Sequence, residues 1–219
     1  RSTPKPSSAA SDVYKRQMYS SGSTGKQKKV THNMRDFYKA GHWLVEKWGL
    51  DDRDVIINPF PTWTIASWAF CIIPAKIAHC DLVNIKFEPL KFSDVVEEIK
   101  PTVLTLAIGT WRILVKRRKP NLEFVRNFST GSAPVTDEDI SLMKATGAEK
   151  IWNIYGSTEC IPPVMMSNNS IFNFQESPYY LEHEDTLFVD GVNTGDIFDL
   201  DTGKFKARST QIENETWKS

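Results

Sequence analysis

Residues 102–155 read TVLTLAIGTWRILVKRRKPNLEFVRNFSTGSAPVTDEDISLMKATGAEKIWNIY, and their pattern decides the fold class. Thr102 to Ala107 and Lys150 to Tyr155 are short runs rich in apolar, β-branched and aromatic residues, the composition of buried strands. Phe124 to Phe128 reads as a third strand between them, and Trp111 to Val115 reads as helical. Thr136 is expected to cap a further helix. Asp139, three residues on, completes a variant capping box, because its carboxylate can return to the N–H of the cap. Strands alternating with helices in this way specify βαβ units and a mainly parallel sheet.

The alternation extends upstream. Asp54 to Asn58 carries the run Val-Ile-Ile, a helix follows through Ala66–Ile73, and Asp81 to Ile85 is a short strand. Ser93 is expected to cap a helix through Val95, Val96 and Ile99, ended by Pro101. Further back, Asn33 suits the cap of a helix with the apolar stripe Phe37, Ala40, Leu44 and Trp48, and Gly49 suits its stop. Downstream of Ile161 the helical pattern ends. Phe188–Asp190 and Asp196–Asp199 read as strands, and Asp201-Thr202-Gly203 as a hairpin turn. The chain shows no internal repeat. The expected fold class is α/β, a mainly parallel sheet flanked by helices, with a β-rich C-terminal portion. Residues 1–17, rich in Ser, Pro, Lys and Arg, are expected to be a disordered leader, and SSAASDVYKRQ looks like translated vector or adaptor sequence. Residues 18–162 are expected to form the α/β portion and 163–219 the β-rich portion.

Composition narrows the classes. With 219 residues, 40% hydrophobic and 25% charged, the chain can bury a core and resembles an ordinary soluble protein. Its 27 basic and 27 acidic residues cancel, which argues against a broad nucleic-acid footprint, so no nucleic-acid partner is expected. Three cysteines without a Cys-x-x-Cys pair give neither a disulfide framework nor a zinc site. Reduced thiols and a cytoplasmic location are the corresponding expectation. The most apolar stretch, Thr64 to Cys80, contains Pro74 and Lys76; it reads as a buried helix, and no transmembrane segment is expected. The sequence carries no signal of oligomeric state.

Four short motifs carry chemistry. In Ser20-Ser21-Gly22-Ser23-Thr24-Gly25-Lys26-Gln27-Lys28, glycines permit close backbone approach, and successive N–H groups with hydroxyl donors can form an anion-binding nest. Lysines add point charges for phosphate oxygens. A flexible linker has a similar composition. A Walker A loop does not fit, because Gln27 follows Lys26 and Ser20 stands where glycine is required. The second motif is Asn153-Ile154-Tyr155-Gly156-Ser157-Thr158-Glu159. The third, Ser129-Thr130-Gly131-Ser132-Ala133-Pro134, follows an expected strand, where α/β folds bind ligands. The fourth is Asn193-Thr194-Gly195-Asp196. Singly, the last three read more readily as ordinary strand ends and turns.

In this order, the motifs resemble those of the adenylate-forming (AMP-binding) superfamily, which includes acyl-CoA synthetases, luciferases and peptide-synthetase adenylation domains. Its phosphate loop usually continues Thr-Gly-x-Pro-Lys-Gly. Here Gln27 stands at the Pro place and Lys29 at the Gly place, and Lys28 is kept. The resemblance implies that Ser20, Ser21, Gly22, Ser23, Thr24, Gly25 and Lys28 grip the triphosphate. It places Gly131, Ser132, Ala133, Pro134, Tyr155 and Gly156 around the adenine, and Asp196 on the ribose hydroxyls. Thr158 falls at the phosphate and Glu159 on Mg2+, and these two with Lys28 form the implied catalytic set. Arg208 matches the arginine before the family's hinge. Trp63, in Pro59-Phe60-Pro61-Thr62-Trp63, takes the place where the family often sets a His or aromatic residue beside the acyl pocket; a core tryptophan is the competing reading. His42, His79 and His183 receive no role, and Lys116 to Lys119 reads as a solvated helix end.

The implied function is ATP- and Mg2+-dependent activation of a small-molecule carboxylate to an acyl-adenylate, followed by transfer to coenzyme A. Alternatives are a non-catalytic ATP/AMP-binding module, or an adenylation domain of the peptide-synthetase or luciferase-like branch. Family members continue into a small C-terminal domain bearing a lysine that acts in adenylation. The chain therefore reads as an internal fragment of the large domain, expected to be weakly active or inactive alone. Which carboxylate is activated is not legible.

Overall fold

The computed structural model describes residues 15–19, 29–157, 159–169, 177–199 and 204–208. Two strands, β1 (Lys15–Tyr19) and β2 (Lys29–Asn33), pair antiparallel. β1 thus begins within the stretch expected to be a leader. Backbone pairing with β2 holds it, and the Arg16 guanidinium lies 3.5 Å from the centre of the Trp68 ring.

Helix α1 (Met34–Trp48) forms where the sequence places it. Asn33 accepts a hydrogen bond from the Arg35 N–H at 2.9 Å, and Gly49 ends the helix in the left-handed conformation with φ 61°. Phe37, Ala40, Leu44 and Trp48 recur at helical spacing and are all buried. This stripe packs onto one face of the main sheet.

That sheet has six strands in the order β4-β3-β5-β6-β7-β8: β3 (Val55–Asn58), β4 (Asp81–Asn84), β5 (Val103–Ala107), β6 (Asn127–Gly131), β7 (Lys150–Tyr155) and β8 (Met165–Asn168). All neighbours are parallel except β7 and β8. Side chains alternate between its faces. Ile56, Val103 and Trp152 pack with α1, whereas Ile57, Leu104 and Ile151 pack with the helices of the other face. Those helices are α4 (Phe92–Ile99), α5 (Ile108–Arg117) and α6 (Asp137–Lys144). The fold is α/β, with a mainly parallel sheet covered on both faces, as expected.

On the α1 face, α2 (Ile65–Ser67) runs through a π-helical turn (Trp68–Ile72) into α3 (Ile73–Ala78). The helix expected over Ala66–Ile73 is therefore longer and changes register within it. The change falls immediately before Pro74, which has no N–H to give to a carbonyl four residues back. Two further expectations need correction. Helix α4 begins at Phe92 with Lys91 as its cap, so Ser93 lies inside the helix, where it is buried. Strand β6 is Asn127–Gly131 rather than Phe124–Phe128, because Val125 and its neighbours turn beneath the helices instead of pairing; the Val125 N–H returns to the Leu122 carbonyl at 2.8 Å.

The C-terminal portion is β-rich. β9 (Leu181–His183), β10 (Leu187–Val189) and β11 (Val192–Asn193) form one antiparallel sheet; β12 (Asp196–Asp199) and β13 (Lys204–Arg208) form another. The turn expected at Asp201–Gly203 lies outside the described residues. The boundary expected between 162 and 163 falls before β8, which still joins the main sheet. Among the described residues, no helix is long and apolar enough to cross a membrane.

Candidate functional site

β6 and β7 are adjacent parallel strands, and their carboxyl ends carry Gly131 and Tyr155. A Cβ on Gly131 would lie 2.3 Å from the Ile154 carbonyl oxygen, so only glycine lets the two strand ends come this close. The chain then leaves the sheet through Ser132, which holds φ 74°, and through Ala133 and Pro134; all three are exposed. Thr136 caps α6 in a full capping box with Asp139. Arg112, from α5, joins both features. Its Nη2 donates to the Pro134 carbonyl at 3.0 Å and to Asp139 Oδ2 at 2.6 Å, and its Nε donates to Asp139 Oδ1 at 3.0 Å. Burial pushes the Asp139 carboxyl up, but the hydrogen bonds from Arg112 and Thr136 outweigh it and hold the pKa below the ordinary carboxylate value.

Tyr155 is gripped from the other side by β12. Its hydroxyl donates to Asp196 Oδ2, and its ring meets Phe198 edge to face, with centroids 4.7 Å apart at 83°. Asp196 is only 2% exposed, and its own N–H donates to Thr194 Oγ1 at 3.2 Å. The turn before it is held internally, with the Gly195 N–H on Asn193 Oδ1 at 2.7 Å and the Thr194 hydroxyl on the Leu187 carbonyl at 2.8 Å. After Tyr155, Gly156 passes Pro162 so closely that a Cβ would come within 2.9 Å of that ring. The Ser157 hydroxyl then donates to Glu159 Oε2. Among the described residues, no cluster of three or more His, Cys, Asp or Glu side chains could hold a metal by itself. The half-buried Glu159 can offer one carboxylate to a hard cation whose other ligands come from water or a bound phosphate, which is how Mg2+ is commonly held.

The structure therefore brings Gly131, Ser132, Ala133 and Pro134 to one rim with Tyr155, and brings Tyr155 into contact with Asp196 across 41 positions of sequence. Ser20 to Lys28 and Thr158 lie outside the described residues. The backbone of Arg208 pairs with that of Asp196. Trp63 is 75% exposed, so the core reading of that residue is wrong; it sits in a turn closed by the Thr64 N–H on the Pro61 carbonyl at 3.0 Å. Sequence reasoning missed Arg112, Ser157 and Phe198. Ser157 lies inside a quoted motif, and its place two residues before a carboxylate was the available signal.

A family model described as AMP-binding enzyme matches residues 3–183, most of the chain. The chain belongs to the AMP-binding enzyme family. The match begins inside the stretch that looked foreign. Among curated proteins, the olefin beta-lactone synthetase of Stenotrophomonas maltophilia is 23% identical over 163 residues, covering 70% of this chain and 28% of that protein. The chain thus spans little more than a quarter of that relative. Among solved structures, the Bacillus subtilis O-succinylbenzoate coenzyme A synthetase, in complex with ATP and magnesium ion, matches with a TM-score of 0.72 at 15% identity, covering 89% of this chain and 50% of that one. The N-terminal domain of FACL13 from Mycobacterium tuberculosis matches with a TM-score of 0.59 at 21% identity, covering 68% of this chain and 38% of that one. These structural likenesses establish the fold. In an AMP-binding enzyme built on a parallel sheet, the rim of β6 and β7 is where a nucleotide is to be sought, because open α/β sheets take ligands at the carboxyl ends of their strands.

Proposed function

We propose that this chain carries the nucleotide cradle of a cytoplasmic, ATP-dependent ligase that converts a small carboxylic acid to an acyl-adenylate and then to a coenzyme A thioester. The observation that carries the reading is the contact between Tyr155 and Asp196 beside the Gly131–Pro134 loop. The side chain proposed for a flat base and the carboxylate proposed for ribose hydroxyls are neighbours, as base and sugar are in one nucleoside. Asp196 is 2% exposed and receives the Tyr155 hydroxyl on Oδ2, so a ribose hydroxyl would share this carboxylate with Tyr155 or displace it.

Ser20, Ser21, Gly22, Ser23, Thr24, Gly25 and Lys28 would hold the triphosphate through backbone N–H groups, hydroxyls and one ammonium. Glu159, with Ser157 beside it, would hold Mg2+, and Thr158 would donate to a phosphoryl oxygen. When bound, Mg2+ supplies charge neutralisation at the phosphates. The substrate carboxylate, already ionised at neutral pH, attacks the α-phosphorus and pyrophosphate leaves. The protein's contribution is positioning and charge stabilisation, and no general base is required. Arg208, beside Asp196 on β13, would mark the approach to the family's hinge.

ATP–pyrophosphate exchange with a panel of carboxylates, run beside calorimetric titration with ATP, tests the reading. Binding of ATP is expected, with weak or no exchange by these 219 residues alone and clear exchange by a longer form carrying the family's C-terminal domain. ATP binding with no exchange in either form would leave a nucleotide-binding module. Absence of ATP binding would overturn the site.

A further inference from the structure

The helix preceding β6 contributes a side chain that no motif singles out. Arg112 reaches from α5 to the loop that follows β6, with Nη2 on the Pro134 carbonyl at 3.0 Å. The same guanidinium makes a two-point contact with Asp139, at 2.6 and 3.0 Å, and Asp139 is the residue that closes the capping box of α6. The other end of the loop is fixed by the approach of Gly131 to the Ile154 carbonyl, one residue before Tyr155. Between these anchors Ser132 holds a left-handed φ of 74° and the loop lies open to solvent. An exposed segment in a strained conformation keeps one shape only if its ends are held. Gly131 secures one end through β7, and the guanidinium secures the other through a planar fork that lysine cannot reproduce.

We propose that Arg112 is a positioning residue for the nucleotide, bracing the Gly131–Pro134 loop in the shape that fits an adenine. The inference rests on the reading of that loop as the adenine frame. Arg112 itself touches no reacting atom. It acts by fixing the loop before the ligand arrives, so that binding does not bear the cost of ordering it. α6 keeps its own cap without Arg112, because the Thr136 hydroxyl accepts the Asp139 N–H at 3.2 Å and Asp139 Oδ2 accepts the Thr136 N–H at 2.9 Å.

The test is calorimetric titration of the 219-residue chain with ATP and, separately, GTP, for the parent, Arg112→Gln and Arg112→Lys, with thermal unfolding of each. Arg112→Gln is expected to bind ATP about tenfold more weakly and to lose most of the preference for ATP over GTP, as preorganisation is lost. Arg112→Lys is expected to recover part of the affinity and little of the preference. A merely structural role would lower the unfolding temperature and leave the ATP-to-GTP ratio unchanged, and that result would overturn the inference. Unchanged affinity and preference in Arg112→Gln would also overturn it while leaving the nucleotide site standing. A parent chain that binds neither nucleotide would overturn both.

Discussion

At Gly131 a single missing methyl group decides how closely β6 and β7 can end. The nearest atom to a Cβ there is a backbone oxygen, that of Ile154, at 2.3 Å, and backbone in the middle of a sheet cannot swing aside as a side-chain tip can. Gly131→Ala should therefore destabilise by about 1–3 kcal/mol, the usual cost of overpacking. It should also weaken ATP binding, because the shift falls at the start of the proposed adenine loop and one residue before Tyr155. Urea unfolding read by tryptophan fluorescence, with ATP titration on the same samples, checks this. A variant as stable as the parent would mean that the strand ends separate freely and that Gly131 sets no geometry.

At the scale of elements, α6 shows what the sequence discloses and what it hides. Thr136 and Asp139 announce the helix because a capping box is local, and the structure forms it. The stripe of α1 and the limits of β7 are legible for the same reason, since helical spacing and short apolar runs are properties of neighbours in sequence. β6 is misplaced because its stability is non-local. Apart from Phe128 its buried residues are polar, and the sheet satisfies them: the Thr105 and Ser129 hydroxyls share a hydrogen bond of 2.6 Å, the Thr130 hydroxyl donates to the Leu106 carbonyl at 2.9 Å, and Asn127 joins the Trp48 carbonyl to the Trp152 indole. Apolar Phe124 and Val125 are the stronger sequence signal, yet they belong to a turn. The site divides in the same way: its motifs are contiguous and readable, whereas Arg112 on Pro134 and Tyr155 on Asp196 are meetings that only the fold arranges. The α6 cap also predicts a pH dependence. The Asp139 carboxyl is held below its ordinary value of 3.8 in the folded protein. A depressed folded pKa stabilises above the unfolded pKa, and that contribution fades as pH falls through the folded pKa. The stability difference between the parent and Asp139→Asn should therefore be full near neutral pH and shrink as the solution is acidified below about pH 4. Urea midpoints measured across that range decide it, and a constant difference would show that the carboxylate charge contributes nothing.

Over the whole molecule, stability and the candidate site gather at opposite ends of one sheet. The loops after β6 and β7 carry the site. At the amino ends of the strands, Asp54 is 1% exposed; its carboxylate accepts from the Thr102 hydroxyl at 2.6 Å and the Asp51 N–H at 2.9 Å, and forms an ion pair with the Arg126 guanidinium at 3.2 Å. Arg126 also donates to the Gly49 carbonyl at 2.7 Å, just past the end of α1. This network ties the longest helix to the starts of β3, β5 and β6, and it touches none of the residues proposed for the nucleotide. Asp54→Asn keeps the shape, removes the charge and turns one acceptor into a donor, so it should cost about 1–3 kcal/mol in a buried setting. Because the two ends share no partners, the same variant should leave ATP affinity within about twofold of the parent at a temperature where both are folded. Arg112→Gln should lower stability as well, because it unpairs the buried Asp139 carboxylate, but unlike Asp54→Asn it should also remove the preference for ATP over GTP. If Asp54→Asn weakens ATP binding as much as it lowers the urea midpoint, the two ends are energetically coupled and the separation fails. Calorimetry and urea unfolding on the two variants side by side would distinguish these outcomes.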